Sequence, residues 1–186
     1  MKRRKLLQLG VHSFITGLAG LRSAYAAPSA DADGLARLRN NWRALRAAGT
    51  VVIEAEPALK RSHDEWRALL PADAYGVLFE ENTERPFSNN LNEEKRDGLF
   101  VCRACSLPLF TSAMKYESGT GWPSFFTSIE AHLASRRDFK LLWPRTEYHC
   151  VKCGGHQGHV FDDGPAPSGQ RWCNNGLALS FVPFVS

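Results

Sequence analysis

Five cysteines and a close pair of histidines carry the reactive chemistry of this chain. Four of the cysteines form two Cys-x-x-Cys pairs, Cys102/Cys105 and Cys150/Cys153. A tetrahedral metal site needs two thiolates from each of two backbone turns, and this spacing provides them. Gly154-Gly155, after the second pair, makes a turn through which backbone N–H groups can approach thiolates. The expected ion is one structural Zn²⁺, since four thiolates leave no open position for water. Two disulfides are the alternative for the same four residues. The fifth cysteine, Cys173, stands in Arg171-Trp172-Cys173-Asn174-Asn175, shortly after His156-Gln157-Gly158-His159. A lone thiol with histidines nearby is the makeup of a nucleophile site. A buried, inert thiol is the competing reading, but Arg171, Asn174 and Asn175 are too polar for a plain core strand.

The elements that must position these groups change character along the chain. Leu35, Leu38, Trp42 and Leu45 recur at helical spacing up to Gly49, and Val51-Val52-Ile53 reads as a short strand. Ser62-His63-Asp64-Glu65 is a capping box that starts a short helix to about Leu70. Pro71 suits the first turn of a second helix running to about Glu80. Thr83-Glu84-Arg85-Pro86-Phe87 closes this part, because Pro86 forbids further helix. From Gly98 onward short β-rich runs (Leu99–Cys102, Leu109-Phe110, Tyr148–Val151, His159–Phe161, Ala178–Phe184) alternate with Gly/Pro/Ser turns. The fold expected is mainly β: a small antiparallel, barrel-like domain of two sheets tied by a four-cysteine zinc site and preceded by short helices. Residues 60–186 form that domain, and 27–59 are a linker with an amphipathic helix.

The formal charge of +4 belongs to the N-terminus. Lys2, Arg3, Arg4, Lys5 and Arg22 lie in residues 1–26 with no acid, and without these five the chain carries one net negative charge. That balance excludes a nucleic-acid footprint. A basic start, a modest apolar run from Leu6 to Leu21 and Ser23-Ala24-Tyr25-Ala26-Ala27 read as an export signal with an Ala-x-Ala-type cleavage site. The run is too short and too polar for a membrane span. Arg3-Arg4 resembles a twin-arginine signal, with Lys2 where Ser or Thr is usual, so an exported, periplasmic protein is expected.

Several strings together resemble the methionine-R-sulfoxide reductases of the B type. They are Gly98–Cys105 leading into Pro108-Leu-Phe110, Ser118-Gly-Thr-Gly-Trp122-Pro-Ser-Phe125, Arg145-Thr-Glu147, Cys150 through Pro165, and Arg171-Trp-Cys173-Asn-Asn175. The resemblance spans roughly residues 60–184. It implies an oxidoreductase for oxidised proteins and peptides, acting in repair of oxidative damage, with a thioredoxin-like or other thiol reductant. It also implies a zinc remote from the active site and an indole face of Trp122 against the substrate's S-methyl group.

The chemistry follows from the residues as well. A sulfoxide has an electrophilic sulfur and a basic oxygen, so its reduction needs a thiolate and an acid. Cys173 supplies the thiolate, and nearby imidazolium and Arg171 can lower its pKa. His159 is the expected general acid, and His156 the group that bonds the oxygen and orients the acid. Asn175, two residues after Cys173, would share its strand face and donate to the oxygen or steer a histidine. Phe161 can line the pocket, and Asp162 and Asp163 are expected to serve the Gly164-Pro165 turn. The chain departs from the family at Thr120, where many members carry a recycling cysteine, and at Trp172, Asn174 and Gly176. Two other classes stay open: a zinc-held β module that only binds a partner, and a Cys–His hydrolase.

Overall fold

The computed structural model describes residues 32–45, 53–139 and 144–184. The export signal and Val51-Val52 therefore lie outside the described residues, and Ile53 belongs to no strand. Helix α1 (Ala32–Asn40) tightens into a 3₁₀ turn over Asn41–Leu45. Its anchor is Trp42, buried with its ring edge-on to His132 at 5.3 Å. Arg39 pairs with Glu130 at 2.5 Å on the same seam. The basic amphipathic stretch thus packs on its own domain.

Helix α2 (His63–Leu69) starts at the expected capping box. The Ser62 N–H donates to Glu65 Oε2 at 2.7 Å and the Glu65 N–H to Ser62 Oγ at 3.3 Å. Helix α3 (Ala72–Glu80) follows Pro71, which has no N–H to leave unpaired there. It ends at Glu81 in the left-handed conformation, φ 56°.

The β region is two antiparallel sheets. The first has order β2-β1-β9, with β1 Gly98–Cys102, β2 Pro108–Thr111 and β9 Leu179–Pro183. The second has six strands in order β3-β4-β8-β7-β6-β5. These are β3 Lys115–Tyr116, β4 Ser124–Phe125, β5 Leu133–Asp138, β6 Arg145–Cys150, β7 His156–Phe161 and β8 Arg171–Asn174. Strand β5, Leu-Ala-Ser-Arg-Arg-Asp, is an edge strand whose central residues are exposed, so its sequence shows no apolar run to mark it.

An aromatic seam joins the sheets. Phe110 of β2 stacks on Phe125 of β4 at 3.9 Å, and Phe100 of β1 meets Phe125 edge-on at 5.0 Å. All three are fully buried, each worth about 1.5–3 kcal/mol of transfer free energy. No described helix is long and apolar enough to cross a membrane.

Candidate active site

The reactive residues lie in one transverse row of the six-stranded sheet. Tyr116 on β3 is in register with Ser124 on β4, Ser124 with Cys173 on β8, and Cys173 with His159 on β7. The row continues through Glu147 on β6 to Arg136 on β5. Directly paired residues of antiparallel strands have neighbouring side chains on one face, so the row sets an imidazole beside the thiol. Above it is a cavity of about 130 Å³, walled by Thr83, Trp122, Arg145, Phe161, His159 and Cys173, with Asn175 also on its lining.

His156 and His159 are three residues apart, which in a regular strand would put them on opposite faces. The β6–β7 register slips between Tyr148 and His149, so that Gln157 is an extra, unpaired residue. This β-bulge returns both histidines to one side, with ring centroids 5.4 Å apart. They do not share a role by position. His159 reaches the cavity, and its Nε2 donates to Asp138 Oδ2 at 3.0 Å. His156 is buried off the cavity lining, with Nδ1 bonded to Glu147 Oε1 at 2.7 Å. The sequence reading assigns His156 to the substrate oxygen; the structure holds it against Glu147, off the cavity lining and beside the His159 ring.

Burial lowers the His159 pKa, and the Asp138 hydrogen bond opposes this only in part. Burial likewise pushes the Cys173 thiol up. The Arg171 charge and hydrogen bonds from Thr120 and Arg171 oppose that shift without cancelling it. The net lowering expected from sequence is thus reversed, because desolvation of a thiolate outweighs one neighbouring cation.

Arg171 is buried and does not line the cavity. Its Nε and Nη2 donate to the two carboxylate oxygens of Asp163, both at 2.8 Å, and it lies 4.2 Å over the Phe161 ring. Asp163 therefore holds Arg171 in place, a task beyond the turn assigned to it from sequence. Thr120 belongs to a hydroxyl chain: Ser118 Oγ is 2.8 Å from Thr120 Oγ1 and 2.7 Å from Ser124 Oγ.

Asn175 falls just past β8 and begins a 3₁₀ turn at Gly176–Ala178, so it does not repeat the strand alternation of Cys173. Its Oδ1 accepts from the Glu84 N–H at 3.2 Å, and its Nδ2 donates to the Gln157 carbonyl at 3.3 Å. Its amide is committed to backbone and braces the cavity wall. The Glu84 carbonyl accepts from Trp122 Nε1 at 3.2 Å, so one residue's backbone fixes both Trp122 and Asn175. The Glu84 carboxylate, pushed up in pKa by burial, accepts from the N–H groups of Gly176 and Leu177.

Sequence reasoning missed Glu84, Asp138 and Gln157 as supports, and treated Glu147 only as part of a string. Glu147 precedes the run read from Tyr148, and only the earlier start of β6 at Arg145 puts this acid inside the sheet. Glu84 sits in a polar loop that carries no signal.

The four remaining cysteines, three buried and Cys105 partly exposed, form one group whose ligand atoms all lie within 4.8 Å of one another. Cys102 Sγ is 3.6 Å from Cys153 Sγ, and Cys105 Sγ is 3.5 Å from Cys150 Sγ. These separations are far above the ~2.05 Å of a disulfide. They are close to the ~3.8 Å edge of a tetrahedron with Zn–S bonds of about 2.3 Å. The two turns are built alike. The N–H four residues after the first cysteine returns to its carbonyl (Ser106 to Cys102, Gly154 to Cys150, both 2.8 Å), and both donors have positive φ. The donor set fits a metal ion.

Residues 70–183 match the SelR domain. The chain is 45% identical over 128 residues to the peptide methionine sulfoxide reductase MsrB of Methanosarcina barkeri, covering 68% of this chain and 90% of that protein. It is 44% identical over 126 residues to the protein of the same name from Pseudomonas putida strain GB-1, covering 67% and 96%. With the cysteine cluster and the Cys173–His159 row in their sheets, these matches place the chain in the SelR-domain family, that of the B-type methionine sulfoxide reductases.

Proposed function

We infer that this chain reduces the R epimer of methionine sulfoxide in proteins and peptides, with Cys173 as nucleophile. The observation that carries the reading is Cys173 and His159 side by side in the floor of a cavity sized for one side chain. The substrate's S-methyl group lies against the Trp122 indole and Phe161, an apolar and sulfur–aromatic contact. The fixed positions of these walls and of His159 admit one arrangement of S–CH₃ and S=O, hence one epimer.

Because Nε2 of His159 is bonded to a carboxylate, the ring presents Nδ1 for proton transfer. The half-buried imidazole, its pKa lowered by burial, takes the thiol proton as Cys173 attacks the sulfoxide sulfur. It then delivers that proton to the sulfoxide oxygen. This oxygen passes as hydroxyl from the substrate sulfur to Cys173 Sγ while the transient S–S bond breaks and its electron pair stays on the thioether sulfur. The balance is Cys173–SH plus R–S(O)–CH₃ giving Cys173–SOH and R–S–CH₃. With Thr120 at the recycling position and the other four cysteines clustered together, an outside thiol must regenerate Cys173. It forms a mixed disulfide and releases water, and a second thiol, such as that of a thioredoxin-like dithiol, displaces Cys173–SH.

Zn²⁺ held by Cys102, Cys105, Cys150 and Cys153 supplies folding free energy and takes no part in the reaction. The protein is exported to the periplasm. The folded, metal-loaded state expected of such a domain supports the twin-arginine reading, tested by loss of export when Arg3 and Arg4 are both changed to lysine.

Assay of separate R and S sulfoxides of an N-acetylated, amidated methionine tests the reading. Turnover of R alone is expected, and equal turnover of both epimers overturns the assignment. Cys173→Ser abolishes turnover in a folded protein, whereas a module that only binds a partner would not need the thiol.

A further inference from the structure

Arg85-Pro86-Phe87-Ser88 is a tight turn closed by the Ser88 N–H donating to the Arg85 carbonyl at 3.3 Å. Pro86 occupies its second position and Phe87 its third, with φ 61°. That is the pattern of a type II turn, whose third position suits glycine or asparagine, and a bulky residue there is an outlier. The ring is not recovered by the core: Phe87 is 68% exposed. A strained backbone that presents an exposed aromatic calls for a reason outside folding.

Its surroundings supply one. The Phe87 N–H donates to the Gly121 carbonyl at 2.7 Å, and the ring lies so close to Gly121 that a Cβ there would fall 2.7 Å from it. Gly121 precedes Trp122, the indole wall of the cavity. The same segment meets that wall again at Thr83 on the lining and at Glu84, whose carbonyl accepts from Trp122 Nε1. The turn is therefore fastened to the lip of the active site. A cavity of about 130 Å³ admits one side chain, so the polypeptide carrying it must run along that lip.

We propose that Phe87 is a specificity-determining residue for the reductase, its exposed ring packing against an apolar side chain that flanks the methionine sulfoxide in a polypeptide substrate. The inference rests on the reductase reading and adds to it a preference for apolar sequence context. The test compares kcat/KM of the full chain for three substrates: a pentapeptide with leucines flanking the R-sulfoxide, the same peptide with flanking glycines, and the free amino acid. Phe87→Gly removes the ring while accepting the positive φ, and Phe87→Ala removes it without that relief.

Both variants should lower the Leu-flanked to Gly-flanked ratio by roughly tenfold, through KM rather than kcat. Phe87→Gly should keep the thermal midpoint of the wild type. An unchanged ratio, or an equal loss on all three substrates, overturns the inference while leaving the reductase reading intact. A wild type inactive on all three overturns both.

Discussion

The side-chain amide of Gln157 donates to Cys102 Sγ at 3.4 Å, and its oxygen accepts from Asn174 Nδ2 at 3.3 Å. One fully buried residue thus touches the cysteine cluster and the neighbour of Cys173. It is also the extra residue of the bulge that turns the two histidines to one side. The metal-type site and the reactive strand therefore share a support.

Gln157→Leu should weaken metal retention by about 10–100-fold, the usual effect of removing a hydrogen bond to a ligand. Competition with a chromogenic zinc chelator measures it. Zinc content and release rate equal to wild type would show that the Gln157–Cys102 bond does not act on the metal.

Alkylation of Cys173 by iodoacetamide reads its thiolate. Burial raises this pKa, so the neutral thiol persists to higher pH, and the rate should climb through a midpoint above the ordinary ~8.5. Arg171→Met removes the first of the opposing influences and should move the midpoint higher still. A wild-type midpoint below ~8.5 would mean that burial does not dominate.

His159→Asn should slow single-turnover sulfoxide reduction by about 10²–10⁴-fold, the range for a positioned proton donor. His156→Asn should cost less in rate and more in stability. It leaves the buried Glu147 carboxylate without its histidine partner, at about 1–3 kcal/mol. Rate and thermal unfolding measured on both variants separate the two places, and near-normal single turnover in His159→Asn would reject it as the proton donor.

Mixing excess sulfoxide with protein and no reductant should yield one methionine per chain. Cys173 should remain as a sulfenic acid that a dimedone-type reagent traps. Thr120→Cys should close an internal disulfide under the same conditions if its Cβ lies roughly 3.5–4.5 Å from that of Cys173. Mass spectrometry showing Cys173 joined to a cluster cysteine of the wild type at the rate of turnover would contradict the one-cysteine scheme.

The amino-acid sequence by itself determined what is local in the chain. Two Cys-x-x-Cys spacings define ligand pairs because each pair is made within a single turn, and the distances between cysteine sulfurs agree. Ser62 and Glu65 determine a helix start for the same reason. Counting thiols leaves Cys173 alone whatever the fold. What only the tertiary structure decided is which distant groups meet. Asp138 reaches His159 because β5, β6 and β7 pair in one register, and Glu84 joins Trp122 to Asn175 across some ninety residues of chain. The bulge at Gln157 inverted the facing that strand alternation assigns to His156, and desolvation around Cys173 inverted the expected sign of its pKa shift. Register, bulges and burial are properties of the packed sheet, set by long-range pairing, and no spacing within one segment encodes them.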